Sequence, residues 1–153
     1  MTWALVFQAG NVLALLFWLA LILLPRWNAL LSAVMYGGVA LLCLAYTALL
    51  LSLQFDLLDP GAVGDGGRVS FMSIEGVRAI FMSDGGVTVG WLHYLALDLF
   101  AGLWIAKDAD AKGFSRLVQA PVLLLTFVAG PAGLLVWLVL RERRARKAAR
   151  SRL

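Results

Sequence analysis

The stretch GWLHYLALDLFAGLWIAKDA, Gly90 to Ala109, decides the fold of this chain. It is apolar for long enough to read as a membrane-spanning helix, yet His93 and Asp98 stand near its middle. Insertion scales put an aspartate at the centre of such a helix at about +2.5 to +3.5 kcal/mol. Neighbouring segments must therefore solvate, pair or use these groups.

Those neighbours are apolar as well. The chain has 153 residues, of which 62% are hydrophobic and 14% charged, and its mean hydropathy is +0.88. A soluble domain is nearer one half apolar. Four stretches are nearly free of charge: Thr2 to Leu24, Ala29 to Phe55, Val87 to Ala106 and Leu117 to Leu140. Each matches or exceeds the roughly 20 residues that a helix needs to cross the hydrocarbon. The expectation is an all-α integral membrane protein, a bundle of four transmembrane helices forming one domain over residues 1–140, followed by a basic tail at 141–153. The first stretch reads as a retained helix and not a secretory signal, since it lacks a basic leader and a small-x-small cleavage pattern. Cys43 is the single cysteine, so no disulfide framework or thiolate metal site can form within the chain.

The connections differ in kind. Pro25, Arg26 and Trp27 predict a tight hairpin with an interfacial aromatic. Asp59 to Gly67 is a turn-forming run. After it, Phe71, Ile74, Val77 and Phe81 form an apolar stripe that predicts a short interfacial helix over Phe71 to Ser83, between the second and third spans. Glu75 and Arg78 are placed to pair at i, i+3, and Asp84, Gly85 and Gly86 read as a break before the third span. In the fourth, GlyProAlaGly at 130 to 133 removes a backbone hydrogen bond near the middle and predicts a kink or unwound turn. Arg141, Arg143, Arg144, Arg146, Lys147, Arg150 and Arg152 outweigh Lys107, Lys112 and Arg116. With four spans, the positive-inside rule then puts both termini in the cytoplasm. Topology and anionic headgroups account for this basic run, and no aromatics interleave it, so nucleic acid is not an expected partner. Membrane lipid is, and a homo-oligomer is compatible with the small-residue spacings Gly86/Gly90 and Gly102/Ala106.

Within the membrane, His93 and Asp98 lie about 140° apart around a helix and roughly 7.5 Å along it. Asp98 shares its face with Tyr94 at i−4, which predicts a hydroxyl-to-carboxylate bond. Asp108 lies too far along a straight helix for one metal ion to bind both carboxylates. Gln8 and Asn11 on the first span, Tyr46 and Thr47 on the second and Thr126 on the fourth are candidates to converge on His93 and Asp98. Interhelical hydrogen bonding is the alternative use of such groups, but an intramembrane carboxylate is a functional site by default. There is no repeated histidine motif, P-loop or nucleophile elbow. Neither a metal site nor a cofactor is indicated, and any chemistry has to run on carboxylates, one imidazole and water.

GlyTrpLeuHisTyrLeuAlaLeuAspLeuPheAlaGlyLeuTrpIleAlaLysAspAla, together with ArgLeuValGlnAlaProValLeuLeuLeuThrPheValAlaGlyProAlaGlyLeuLeu from Arg116 to Leu135, resembles the ABA DEFICIENT 4-like membrane protein family. The resemblance covers Phe71 to Leu140. Plant members are associated with making neoxanthin from violaxanthin, an epoxide-opening isomerisation of a carotenoid. The resemblance implies a protein of carotenoid or isoprenoid metabolism with such a molecule as its ligand. It marks Trp91, His93, Asp98, Leu99, Phe100, Asp108, Arg116, Pro131 and Gly133 as motif positions. The Arg-rich tail and short turns point to a bacterial inner membrane.

Two classes of function follow. In the first, an isomerase or related carotenoid-modifying enzyme, His93, Asp98, Tyr94 and Asp108 are the candidate catalytic groups. Asn11, Trp91, Gly102, Arg116, Thr126 and Pro131 are then candidates for binding the substrate. The cavity expected for it is open to lipid, with His93, Tyr94 and Asp98 on one wall and Thr126 to Gly133 on the other. In the second, a noncatalytic carotenoid-binding or assembly subunit, the same residues only fix helix packing.

Overall fold

A computed structural model describes residues 2–61 and 70–150, and the side chains of 144–150 are left aside. The described residues are helical wherever they are regular. Helix α1 spans Trp3–Leu23. Helix α2 spans Asn28–Gln54 and widens to π-helical pitch over Ala33–Ala40. Helix α3 is the short Ile74–Ile80, α4 is Asp84–Ala111, α5 is Arg116–Val128 and α6 is Gly130–Arg150. Among the described residues three helices, α1, α2 and α4, are long and apolar enough to cross a membrane. Many of their large side chains, among them Leu5, Leu16, Leu44 and Leu97, are exposed, as a lipid-facing surface requires.

Helix α4 is central and packs against α1, α2, α5 and α6. Small residues let it approach. A Cβ on Gly102 would collide with the Trp18 ring and one on Gly10 with Leu92, while one on Gly38 would come within 2.9 Å of Leu99. The π segment of α2 brings Gly37 and Gly38 against the ring of Phe17, so the local widening and the missing side chains together admit an aromatic from α1. Periodicity in the sequence gives no sign of this segment, because its residues are apolar all round.

Helix α4 starts earlier than expected. Asp84, Gly85 and Gly86 form its first turn, and the Ser83 hydroxyl accepts the Gly86 N–H at 3.0 Å. A serine cap followed by an acidic residue suits the positive end of a helix. Gly86 is required there because a Cβ would strike the carbonyl oxygen of Ile80. Helix α3 is shorter than the Phe71 to Ser83 expected, starting after a second serine cap, Ser73 to Gly76 N–H at 3.1 Å. Glu75 and Arg78 form no ion pair with each other. Each instead stands at the helix end its charge favours, Glu75 in the first turn and Arg78 in the last.

The largest departure concerns the fourth span, expected as one kinked helix over Leu117 to Leu140. It is an antiparallel hairpin. Helix α5 ends at Val128, and Ala129 leaves helical geometry, with φ −149° and ψ 79°. Helix α6 then runs back beside α5. Arg116, at the start of α5, donates to the Leu24 carbonyl at the end of α1, 3.1 Å. The tip meets mid-α4, where Gly130 abuts the Asp98 carboxylate. Seven residues further, Trp137 is back at the end of α4, its Nε1 donating to Asp108 Oδ2 at 3.0 Å, with its ring 4.9 Å from Phe114. At the turn, Gly133 lies so close to Thr126 that a Cβ would overlap that residue's backbone and hydroxyl. The termini therefore sit at opposite ends of the bundle, which removes the premise for placing both in the cytoplasm. Helix α6 also runs on through residue 140, so no break in helix marks the expected boundary with the tail.

Candidate functional site

Two polar regions lie at different levels of α4. The first closes the end of the bundle where α1, α4 and α5 meet their connections. Arg26, from the tight hairpin, is buried there, its side chain 2% exposed. Its Nη1 donates to both oxygens of Asp110 at 3.0 and 3.1 Å, to the Ala106 carbonyl at 3.3 Å and to Gln119 Oε1, while its Nε donates to Leu21 O at 3.0 Å. Fully buried Gln119 donates in turn to Asp110 Oδ1 at 2.9 Å and to Phe114 O at 2.8 Å. Burial pulls the pKa of Arg26 below the ordinary arginine value, and the hydrogen bond and charge of Asp110 pull the other way. Beside this node Asp108 is met by Lys112, by Trp137 and by Arg141 at 3.5 Å, and Arg141 in turn lies over the Trp104 ring. Asp108 and Arg116, expected at the substrate, are occupied in holding helix ends together.

The second region is a cavity of about 1180 Å³. Helix α2 contributes Tyr46, Leu50 and Gln54, α4 contributes Gly90, His93, Tyr94, Leu97, Asp98 and Ala101, and the hairpin contributes Gly130, Pro131 and Leu134. The segment before α4 closes it at one end with Val77, Ile80 and Phe81, the Phe81 ring filling the space that a side chain at Gly90 would take. His93 and Tyr94 are exposed and Asp98 is partly so. Tyr46 and His93 have ring centroids 5.4 Å apart, and Tyr94 stands edge-on to His93 at 6.4 Å. The imidazole thus has two phenols, from different helices, as neighbours.

Asp98 is not hydrogen-bonded to Tyr94. Its carboxylate takes the backbone N–H of Gly130, the first residue of α6. Of the other amides in that first turn, those of Ala132 and Gly133 donate to the Ala129 carbonyl at 3.0 and 3.1 Å, and Pro131 has none. A helix start away from water leaves amides without partners unless something accepts them. Here Asp98, a tight turn and a proline leave none.

The other expected site residues lie elsewhere. Asn11 accepts the Trp91 indole N–H at 2.9 Å and donates to Phe7 O at 2.8 Å, and Phe7 stacks on Trp91. This pair ties α1 to α4 away from the cavity. Gly102 is a close-packing position against Trp18, and buried Thr126 donates back to Val122 O at 2.8 Å. Thr47 does likewise to Cys43 O, and Gln8 is exposed on α1. His93, Tyr94, Asp98 and Pro131 therefore remain at the cavity, joined by Tyr46. Gln54 and Phe81, which sequence reasoning did not assign to the site, also face it, and Gly130, expected on its wall as part of a kinked helix, does so as a helix start. For Gly130 a signal existed: Gly followed by Pro suits a helix start better than a helix middle. Among the described residues no group of three or more His, Cys, Asp or Glu side chains could hold a metal ion.

Fold and site together define an all-helical, membrane-compatible bundle with a large, mostly apolar cavity and a small set of polar groups on its wall. The chain belongs to the ABA DEFICIENT 4-like (ABA4-like) family, whose model matches residues 5–137, from α1 through Trp137 of the hairpin. Neither the curated proteins nor the solved structures contain a match.

Proposed function

We propose that the chain is a membrane enzyme of carotenoid or isoprenoid metabolism that binds its substrate in this cavity and isomerises it at His93 and Asp98. One observation carries the reading: the only histidine of the chain and a mid-helix aspartate open onto one cavity of about 1180 Å³ between α2, α4 and the hairpin. Small-molecule sites usually measure about 300 to 1,000 Å³ and combine apolar walls with a few convergent polar groups. The space here suits an elongated apolar molecule, which reaches it from the bilayer. An isomerisation conserves atoms, so one group that takes a proton and one that returns it suffice. His93 is the proton carrier, flanked by Tyr46 and Tyr94, whose hydroxyls can stabilise charge developing on a substrate oxygen. Asp98 is the second group, with oxygen lone pairs beyond those that Gly130 uses.

A second reading rests on that same Gly130 contact. If Asp98 serves only to hold the hairpin tip, the cavity belongs to a noncatalytic carotenoid-binding subunit. Pigment analysis of carotenoid-producing cells, with and without the gene, separates the two when His93→Gln and Asp98→Asn are included. The enzyme reading expects a product that requires the gene and falls about 100-fold or more in both variants at equal protein level, the usual weight of a general acid or base. Unchanged conversion in both variants refutes it, and pigment binding by the wild-type chain with no product that requires the gene supports the subunit.

A further inference from the structure

We infer that α5 and α6 form a re-entrant hairpin entering the membrane from the cytoplasmic face. The bundle then crosses the membrane three times, with its N-terminus outside and its C-terminus inside, and the cavity opens into the non-cytoplasmic leaflet.

Length is the first argument. Helix α5 has 13 residues, about 20 Å at 1.5 Å per residue, against roughly 30 Å of hydrocarbon. It cannot cross alone. Asp98 is the fifteenth of the 28 residues of α4, so the hairpin tip that meets it reaches about the midplane. Trp137 and Arg141 then return to Asp108, near the end of α4 from which the chain left for α5. Such a turn at membrane depth requires its backbone groups to be satisfied within the protein. The Ala129 carbonyl and the Asp98 carboxylate do this.

Charge is the second argument, and it is independent of the first. With four spans, Arg26, Lys107, Lys112 and Arg116 would face away from the basic tail. With the hairpin, every Lys and Arg of the chain except Arg68 and Arg78 falls in segments bordering or following the Arg26 end. The opposite connection, 55–83, carries those two with Asp56, Asp59, Asp65 and Glu75. The positive-inside rule scores such short segments near membrane ends, and a conflict between two basic segments becomes agreement. The Arg26 end is cytoplasmic.

The consequence for the cavity is directional. Its polar rim of Gln54, Asp56 and Ser83 lies at the outer end, and Asp98, Gly130 and Pro131 close it at the midplane. A lipid-soluble ligand is thus taken from the outer leaflet, with one end reaching the centre of the bilayer. The identity of that ligand rests on the proposed function; the topology does not.

The test uses the full chain in a bacterial host. A C-terminal green fluorescent protein should fluoresce, which it does only in the cytoplasm, while an N-terminal epitope is removed by protease added to spheroplasts. In a Cys43→Ala background, Glu75→Cys should react with a membrane-impermeant maleimide in spheroplasts. Ser115→Cys and Ser151→Cys should react only after permeabilisation, the control that each variant is present and reactive. Termini on the same side, or Ser115 and Ser151 on opposite sides, overturn the hairpin. Labelling of both from outside overturns the orientation. Neither result depends on pigment conversion, so failure here is distinct from failure of the proposed enzyme.

Discussion

The two polar regions of α4 use the same residue types to different ends. At the Arg26 end, Arg26 alone makes five hydrogen bonds from two nitrogens, and Asp110, Gln119 and Asp108 are each held by more than one partner. At mid-helix, Asp98 meets one backbone amide, and His93 meets two aromatic rings beside open space. Saturated groups hold helices, whereas groups with spare donors or acceptors facing a cavity are available to a ligand. Asp108 and Asp98 thus part company ten residues apart on one helix.

The comparison can be broken most forcefully at Arg26. Arg26→Ala should leave Asp110 and Gln119 without their main partner and cost on the order of 3 kcal/mol, since removing one member of a buried polar network exposes the desolvation cost of the rest. A large fall in thermal midpoint in detergent, with pigment conversion per folded molecule unchanged, is the expected pattern. Lost conversion at full stability would place this end in the chemistry and erase the distinction.

A smaller effect on stability, but a larger one on function, is expected at the hairpin tip. In Gly130→Ala the new methyl group meets the Asp98 carboxylate; overpacking of this kind costs about 1 to 3 kcal/mol, and the short Asp98 side chain relieves part of it by turning away. The carboxylate then leaves its place in the cavity. Conversion should fall as far as in Asp98→Asn while the thermal midpoint drops less than in Arg26→Ala. Normal turnover in Gly130→Ala would show that the carboxylate's position is immaterial.

The smallest change belongs to the Asn11–Trp91 pair. Trp91→Phe removes one interhelical hydrogen bond, worth about 0.6 kcal/mol in membrane bundles, and keeps most of the stacking on Phe7. A shift in midpoint near the limit of detection and unaltered pigment conversion are expected. A marked loss of conversion would return Trp91 to the binding residues and extend the site toward α1.

How much of this was legible beforehand follows from the range of the interactions. The helical class, the three long apolar helices, the break near Pro131 and the special position of His93 and Asp98 are local properties. They arise from runs of apolar residues, a missing amide and the cost of charge in hydrocarbon, and each is written in consecutive residues. The family resemblance lies in the same consecutive motifs. Tertiary structure alone decided that the break is a reversal: a proline interrupts a helix, but the direction taken afterwards depends on Asp98 meeting Gly130, on Gly133 fitting against Thr126 and on Trp137 reaching Asp108. Tertiary structure also sorted the polar residues, sending Asp108 and Arg116 to the helix ends, Asn11 to Trp91 and Gly102 to Trp18, and leaving His93, Tyr94 and Asp98 at the cavity with Tyr46. Spacing along one helix assigns each residue a depth and a face. The neighbour facing it comes from a segment distant in sequence, and that neighbour determines whether a buried polar group is already satisfied or still free to act.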